Sequence, residues 1–127
     1  MTAPYHTCLI IDDNYIDNFV TRKLLENSKF AENVIVSESP EGSIESLRNG
    51  SVKPDVIFLD IRMPVMSGFE FLDAFDKLKI DKAGIKVFLL SSSFDPTDIR
   101  RSSDNKYITQ FIHKPLTHKI LEELAWS

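Results

Sequence analysis

Five short apolar runs recur along the chain at near-even intervals, and this spacing restricts the fold more than any other feature. Leu9-Ile10-Ile11, Val34-Ile35-Val36, Val56-Ile57-Phe58-Leu59, Val87-Phe88-Leu89-Leu90 and Phe111-Ile112 begin 22 to 31 residues apart. Each run is continuous rather than alternating, the pattern of strands buried on both faces of a parallel sheet. Each interval has room for one crossover helix. The 127 residues suffice for one domain, 1–127, in which 1–6 read as an N-terminal tail.

The intervals carry helix signals. Ile16, Phe19, Val20 and Leu24 fall at helical spacing and predict a core-facing stripe. Ser39-Pro40-Glu41 reads as an N-cap, a first-turn proline and an acidic first turn, with Gly50 as the stop. Ser67 and Glu70 form a capping box ahead of Phe69, Leu72 and Phe75. Asp95-Pro96-Thr97-Asp98 opens a short polar helix that Asn105 is expected to end in a left-handed conformation. Thr117 caps a last helix containing Ile120, Leu121 and Leu124. Five βα units predict an open, doubly wound α/β domain.

Composition narrows the function. Fifteen Lys and Arg against nineteen Asp and Glu give a net charge of −4, which argues against a nucleic-acid-binding surface, Arg100-Arg101 included. No apolar run nears the ~18 residues of a membrane span, and the first residues lack the regions of a secretory signal. The single cysteine, Cys8, reads as a small buried strand residue, and its solitude suits a reducing cytoplasm.

In a doubly wound sheet, ligands bind beyond the carboxyl ends of the strands. Asp12-Asp13-Asn14 follow the first run, Asp60 ends the third, Ser91-Ser92-Ser93 follow the fourth, and His113-Lys114-Pro115 follow the fifth. Singly, Asp12 or Asp13 could cap a helix, Asp60 begin a turn and Lys114 be a surface lysine. Together they are three mutually repelling carboxylates at one sheet edge, an arrangement that suits a cation or a reaction. An all-oxygen set points to Mg²⁺. Such an ion can neutralise phosphoryl oxygens while a carboxylate attacks phosphorus, with Lys114 and Ser91 binding phosphoryl oxygens.

Four ordered motifs, Ile10-Ile11-Asp12-Asp13-Asn14, Phe58 to Gly68 with Met63-Pro64, Leu89-Leu90-Ser91-Ser92-Ser93 and Phe111-Ile112-His113-Lys114-Pro115, resemble the receiver domain of two-component response regulators. The resemblance spans essentially the whole chain and implies a flavodoxin-like (βα)5 fold with strand order 2-1-3-4-5. By that resemblance Asp60 is the phosphoacceptor. Asp13 binds Mg²⁺ directly, Asp12 acts largely through metal-bound water, and the backbone carbonyl of Arg62 supplies a further oxygen. Ser91 and Phe111 take the positions of the switch hydroxyl and switch aromatic, and Lys114 that of the phosphoryl-pairing lysine. A cis Lys114–Pro115 peptide is also implied.

The resemblance further implies a sensor histidine kinase or histidine phosphotransfer protein as phosphodonor, a downstream protein target, and dimerisation through the fourth-helix, fifth-strand and fifth-helix face. Departures from the family are Ser91 in place of threonine, Phe111 without a phenol, the long cation Arg62, a polar fourth helix and a short last helix. The rivals fit less well. A Mg²⁺-dependent aspartyl-phosphate phosphatase would carry an Asp-x-Asp pair where Asp12-Asp13 are adjacent. A flavodoxin would carry a phosphate loop after the first strand. A receiver working without phosphorylation would not need Asp60, Ser91 and Lys114 together with the acidic pair. His6 reads as a tail residue, His113 as a solvent-facing strand residue, and His113 with His118 as too poorly spaced for zinc. Trp126 reads as packing or fraying.

Overall fold

The computed structural model describes residues 3–125, and Trp126 lies outside them. In chain order the elements are β1 (Tyr5–Ile11), α1 (Tyr15–Asn27), β2 (Ala31–Ser37), α2 (Pro40–Asn49), β3 (Val56–Asp60), α3 (Gly68–Asp76), β4 (Lys86–Ser91), α4 (Pro96–Asp104), β5 (Ile108–His113) and α5 (His118–Leu124). The strands form one parallel sheet ordered β2-β1-β3-β4-β5, the flavodoxin-like arrangement expected. Among the described residues no helix is long and apolar enough to cross a membrane.

Burial follows position in the sheet. Every residue of β3 is buried, as is nearly all of β1 and β4. β2 and β5 are edge strands, and of their apolar runs only Ile112 is buried, the other residues being half covered. Alternate residues feed two core layers. One joins Cys8, Ile10, Phe58 and Phe88 to Leu25 of α1 and Leu121 of α5. The other joins Leu9, Leu59 and Leu89 to Phe71, Leu72 and Phe75 of α3. Cys8 is fully buried, and that burial pushes its thiol far above the ordinary range.

The helix starts follow the sequence signals. Ser39, Ser67, Asp95 and Thr117 each accept a backbone N–H at an N-cap, and Ser67 with Glu70 closes a full capping box. Gly50 ends α2 at φ 79°, a left-handed conformation that glycine takes without strain.

Three local expectations are corrected. The tail is shorter than 1–6, because Tyr5 and His6 lie in β1: the Tyr5 N–H donates to the Phe30 carbonyl at 3.1 Å and the His6 N–H to the Asp55 carboxylate at 2.8 Å. Asn105 leaves α4 extended, at φ −89° and ψ 121°, rather than left-handed. The apolar stripe of α1 does not face the core: Ile16, Phe19 and Val20 are 69%, 55% and 56% exposed, and only Leu24 packs partly inward. The face turned to the sheet is defined by Asn18 and Leu25, two turns apart. The Asn18 side-chain amide donates to the Asp12 carbonyl at 2.7 Å on that face.

Candidate functional site

The site is built at the carboxyl edge of the three central strands and β5. Asp12 follows β1 and is buried; its carboxylate accepts the Asn14 N–H at 2.9 Å, and Asn14, not either aspartate, caps α1. Asp60 is the last residue of β3 and is 7% exposed. Asp13 is exposed beside them. One oxygen from each of the three carboxylates lies within 4.8 Å of the others.

Lys114 supplies the opposing charge. Its backbone N–H donates to the Ser91 carbonyl at 2.9 Å, and the Lys114–Pro115 peptide is cis, as the resemblance implied. The ammonium donates to Asp12 and to Asp17 at 2.9 Å each and lies 3.4 Å from Asp60. Burial disfavours the Lys114 ammonium, but hydrogen bonds to Asp17 and Asp12 outweigh it and hold the pKa well above the ordinary lysine range. The Asp60 carboxyl is also raised, to about 6, because burial and then the Asp12 charge oppose its ionisation more than Lys114 favours it. A carboxylate so destabilised gains from any cation or covalent partner that relieves it.

Glycine permits this burial. The Gly68 N–H donates to the Ile61 carbonyl at 2.8 Å, and a Cβ on Gly68 would stand 2.5 Å from the Asp60 carbonyl oxygen. The start of α3 is therefore drawn against the end of β3 at a distance no side chain allows.

Ser91 ends β4 almost wholly buried, and its hydroxyl accepts the Ser93 N–H at 3.0 Å. Phe111 is half-buried against the α3-side core layer, with its ring edge-on to His113 at 4.9 Å. His113 is exposed and stacks on Phe94, while His118 meets the Ser28 hydroxyl. The two imidazoles thus have separate partners.

Arg62 directs its side chain toward α4, where Nη2 donates to Asp98 Oδ2 at 2.7 Å. The Ser93 hydroxyl donates to the same oxygen at 2.8 Å. Burial would raise the Asp98 carboxyl, but the Ser93 hydroxyl and the Arg62 guanidinium outweigh it and hold it below the usual range. Sequence reasoning thus placed Asp12, Asp13, Asp60, Ser91 and Lys114 at one edge, and they are together. It missed Asp17, Asn18 and Asp98. Asp17 and Asn18 sit within two turns of the Asp12-Asp13 pair, a spacing that flags them as second partners to strand-end groups. Asp98 looked like an ordinary acidic residue of a first helical turn.

Fold and site together define a doubly wound domain with an acidic pocket and a lysine at its strand ends. The chain belongs to the response regulator receiver domain family, whose model matches residues 8–125. It is 34% identical over 122 residues to the two-component response regulator ORR1 of Oryza sativa subsp. japonica, an alignment covering 91% of this chain and 52% of that protein. The chain spans about half of that relative's length and less of other curated relatives. Among solved structures, a two-component response regulator from Cytophaga hutchinsonii superposes with a TM-score of 0.85 at 30% identity, covering 94% of this chain and 93% of that one. A response regulator receiver protein from Dyadobacter fermentans superposes with a TM-score of 0.84 at 36% identity, with 94% of each chain covered. The chain is a receiver domain of the kind used in two-component signalling.

Proposed function

We propose that Asp60 accepts a phosphoryl group from a phosphohistidine, carried by a sensor histidine kinase or a histidine phosphotransfer protein, and that the acyl phosphate switches the domain. The observation that carries this reading is the juxtaposition of a buried Asp60 carboxylate with two further carboxylates and the Lys114 ammonium 3.4 Å away. In the transfer, an Asp60 oxygen attacks phosphorus, the P–N bond breaks, and the imidazole leaves. The reaction needs a nucleophile and charge compensation for three phosphoryl oxygens. Lys114 can move from the aspartates to one oxygen, and Ser91 can donate to another.

The donor set fits Mg²⁺: three carboxylates with ligand atoms within 4.8 Å of one another, and neither thiolate nor imidazole among them. Asp12, Asp13, Asp60 and the Arg62 backbone carbonyl would hold the ion. It would neutralise phosphoryl oxygens, a charge that Lys114 alone cannot match.

Tyr15, Ile16, Phe19 and Val20 form an exposed apolar patch at the start of α1, directly after the acidic pair. Such a patch, close along the chain to the acidic pair, suits an apolar surface of the phosphodonor. The signal would leave through Ser91, Phe111 and the α4–β5–α5 face, by binding a downstream protein or by pairing of two copies of this domain.

Intact-mass measurement after incubation with phosphoramidate and Mg²⁺ tests this reading. Wild type is expected to gain one alkali-labile phosphoryl group, and neither the EDTA-treated protein nor Asp60→Asn is expected to gain it. Equal labelling of Asp60→Asn refutes the assignment.

A further inference from the structure

Two side chains follow the ends of the adjacent strands β3 and β4, beside Asp60 and Ser91. Arg62 stands two residues beyond Asp60 along the chain, and Ser93 stands two residues beyond Ser91 at the end of the adjacent strand. Both end on the same atom, Asp98 Oδ2, Arg62 at 2.7 Å and Ser93 at 2.8 Å. The Asp98 side chain is only 10% exposed, whereas that of Arg62 is 64% exposed. A buried carboxylate needs its donors, because unpaired charge in such a place is costly. The guanidinium needs Asp98 far less, since solvent already reaches it. Asp98 therefore holds the pair together, and Arg62 is the mobile partner. The Asp95 carboxylate, 3.9 Å from Arg62, is a weaker alternative.

We propose that Asp98 is a positioning residue for hydrolysis of the acyl phosphate: it keeps Arg62 and Ser93 turned toward α4 and so leaves the phosphoryl group open to attack by water. The proposal rests on the reading of Asp60 as phosphoacceptor. In the hydrolysis, a water oxygen bonds to phosphorus, the bond from phosphorus to the Asp60 oxygen breaks, and inorganic phosphate leaves while the carboxylate is restored. The water gives one proton to phosphate or to solvent. Without the charge of Asp98, Arg62 is left with the Asp95 carboxylate, a single exposed charge 3.9 Å away, and with the phosphoryl group, the stronger anion of the two. A guanidinium there forms charge-assisted hydrogen bonds to the phosphoryl oxygens and covers one side of the phosphorus.

The test is the loss of labelled phosphate from phosphorylated protein in wild type, Asp98→Asn, Arg62→Ala and the double variant. Asp98→Asn keeps the shape and an acceptor for Ser93, and its phosphate should last roughly five-fold longer, the equivalent of about 1 kcal/mol in the barrier. Asp98→Ser, which removes the charge with a different side chain, should lengthen the lifetime in the same direction. The slowing should depend on Arg62, so that Arg62→Ala and the double variant lose phosphate at the same rate. A wild-type rate in both Asp98 variants overturns the proposal. So does a double variant slowed relative to Arg62→Ala by as much as Asp98→Asn is relative to wild type, because that slowing would come from the helix and not from the guanidinium. If wild type takes up no phosphoryl group, the reading of Asp60 fails, and the role of Asp98 falls with it.

Discussion

α3 and α4 are both nine residues long and both begin at a well-formed N-cap, yet they are attached to the sheet by opposite means. α3 buries Phe69, Phe71, Leu72 and Phe75. The residues α4 buries are Asp98 and Ser102, while its isoleucine, Ile99, is 38% exposed. A buried phenyl or leucyl side chain contributes about 1.5–3 kcal/mol and has no competing partner outside the core. An ion pair contributes less and can be exchanged for another charge. Of the helices that follow β3 and β4, α3 is thus a wall fixed by apolar burial and α4 a wall held by polar contacts that another charge can redistribute.

The largest effect should come from breaking the fixed wall. Phe71→Ala is expected to lower unfolding free energy by about 3–5 kcal/mol, measured by denaturant titration, since it leaves a cavity in a closed layer. A loss of under about 1 kcal/mol would remove the contrast between the helices.

The second effect concerns the acidic pocket at the strand ends. Asp60 has its carboxyl raised from 3.8 to about 6 in the folded protein. A raised carboxyl binds its proton more tightly when folded, so the stability tied to that proton is present below the unfolded pKa and disappears as pH rises through about 6. In EDTA at pH 7, Asp60→Asn should therefore be more stable than wild type, by on the order of 2 kcal/mol after allowance for solvent screening. The advantage should shrink toward pH 4. An advantage that is constant with pH would mean that its source is not Asp60 ionisation.

These two outcomes bear on what the sequence discloses. Apolar runs, caps and strand-end carboxylates are local patterns, and they located the sheet, the start of every helix after α1, and Asp12, Asp13, Asp60, Ser91 and Lys114. The rotation of α1 was not legible. Its Ile16, Phe19 and Val20 stripe is a better apolar face than the one used, which turns Leu25 inward together with an Asn18 that donates to the Asp12 carbonyl. The partners of Arg62 were equally hidden, because Asp98 lies 36 residues away and nothing local marks it as buried. Polar tertiary contacts carry no period, so they emerge only when the chain is folded.

A smaller effect sharpens the role of the exposed member of the acidic cluster. Wild type should gain about 1.4 kcal/mol at a Mg²⁺ concentration ten times the dissociation constant. Asp13→Asn should lose most of that gain and, in EDTA, should melt above wild type, since it removes one like charge. Thermal melts with EDTA and with excess Mg²⁺ check both signs, and an unchanged Mg²⁺ response in Asp13→Asn would exclude Asp13 as a ligand.

The smallest effect belongs to the polar wall. The Ser102 hydroxyl donates to the Ile99 carbonyl within α4 at 2.7 Å, and alanine is the better helix former. Ser102→Ala should shift stability by less than about 1 kcal/mol in denaturant titration. A loss approaching that of Phe71→Ala would show α4 to be anchored as firmly as α3.

The contrast between the two helices is tested most directly by amide hydrogen exchange with and without beryllofluoride, a phosphoryl mimic, in the presence of Mg²⁺. The expected result is a change in exchange across residues 93–104, where Ser93, Asp98 and the rest of α4 lie, with α3 amides keeping the same protection in both states. Equal changes in α3 and α4, or none in α4 while the mimic is bound, would contradict a fixed α3 wall and a polar, exchangeable α4 wall.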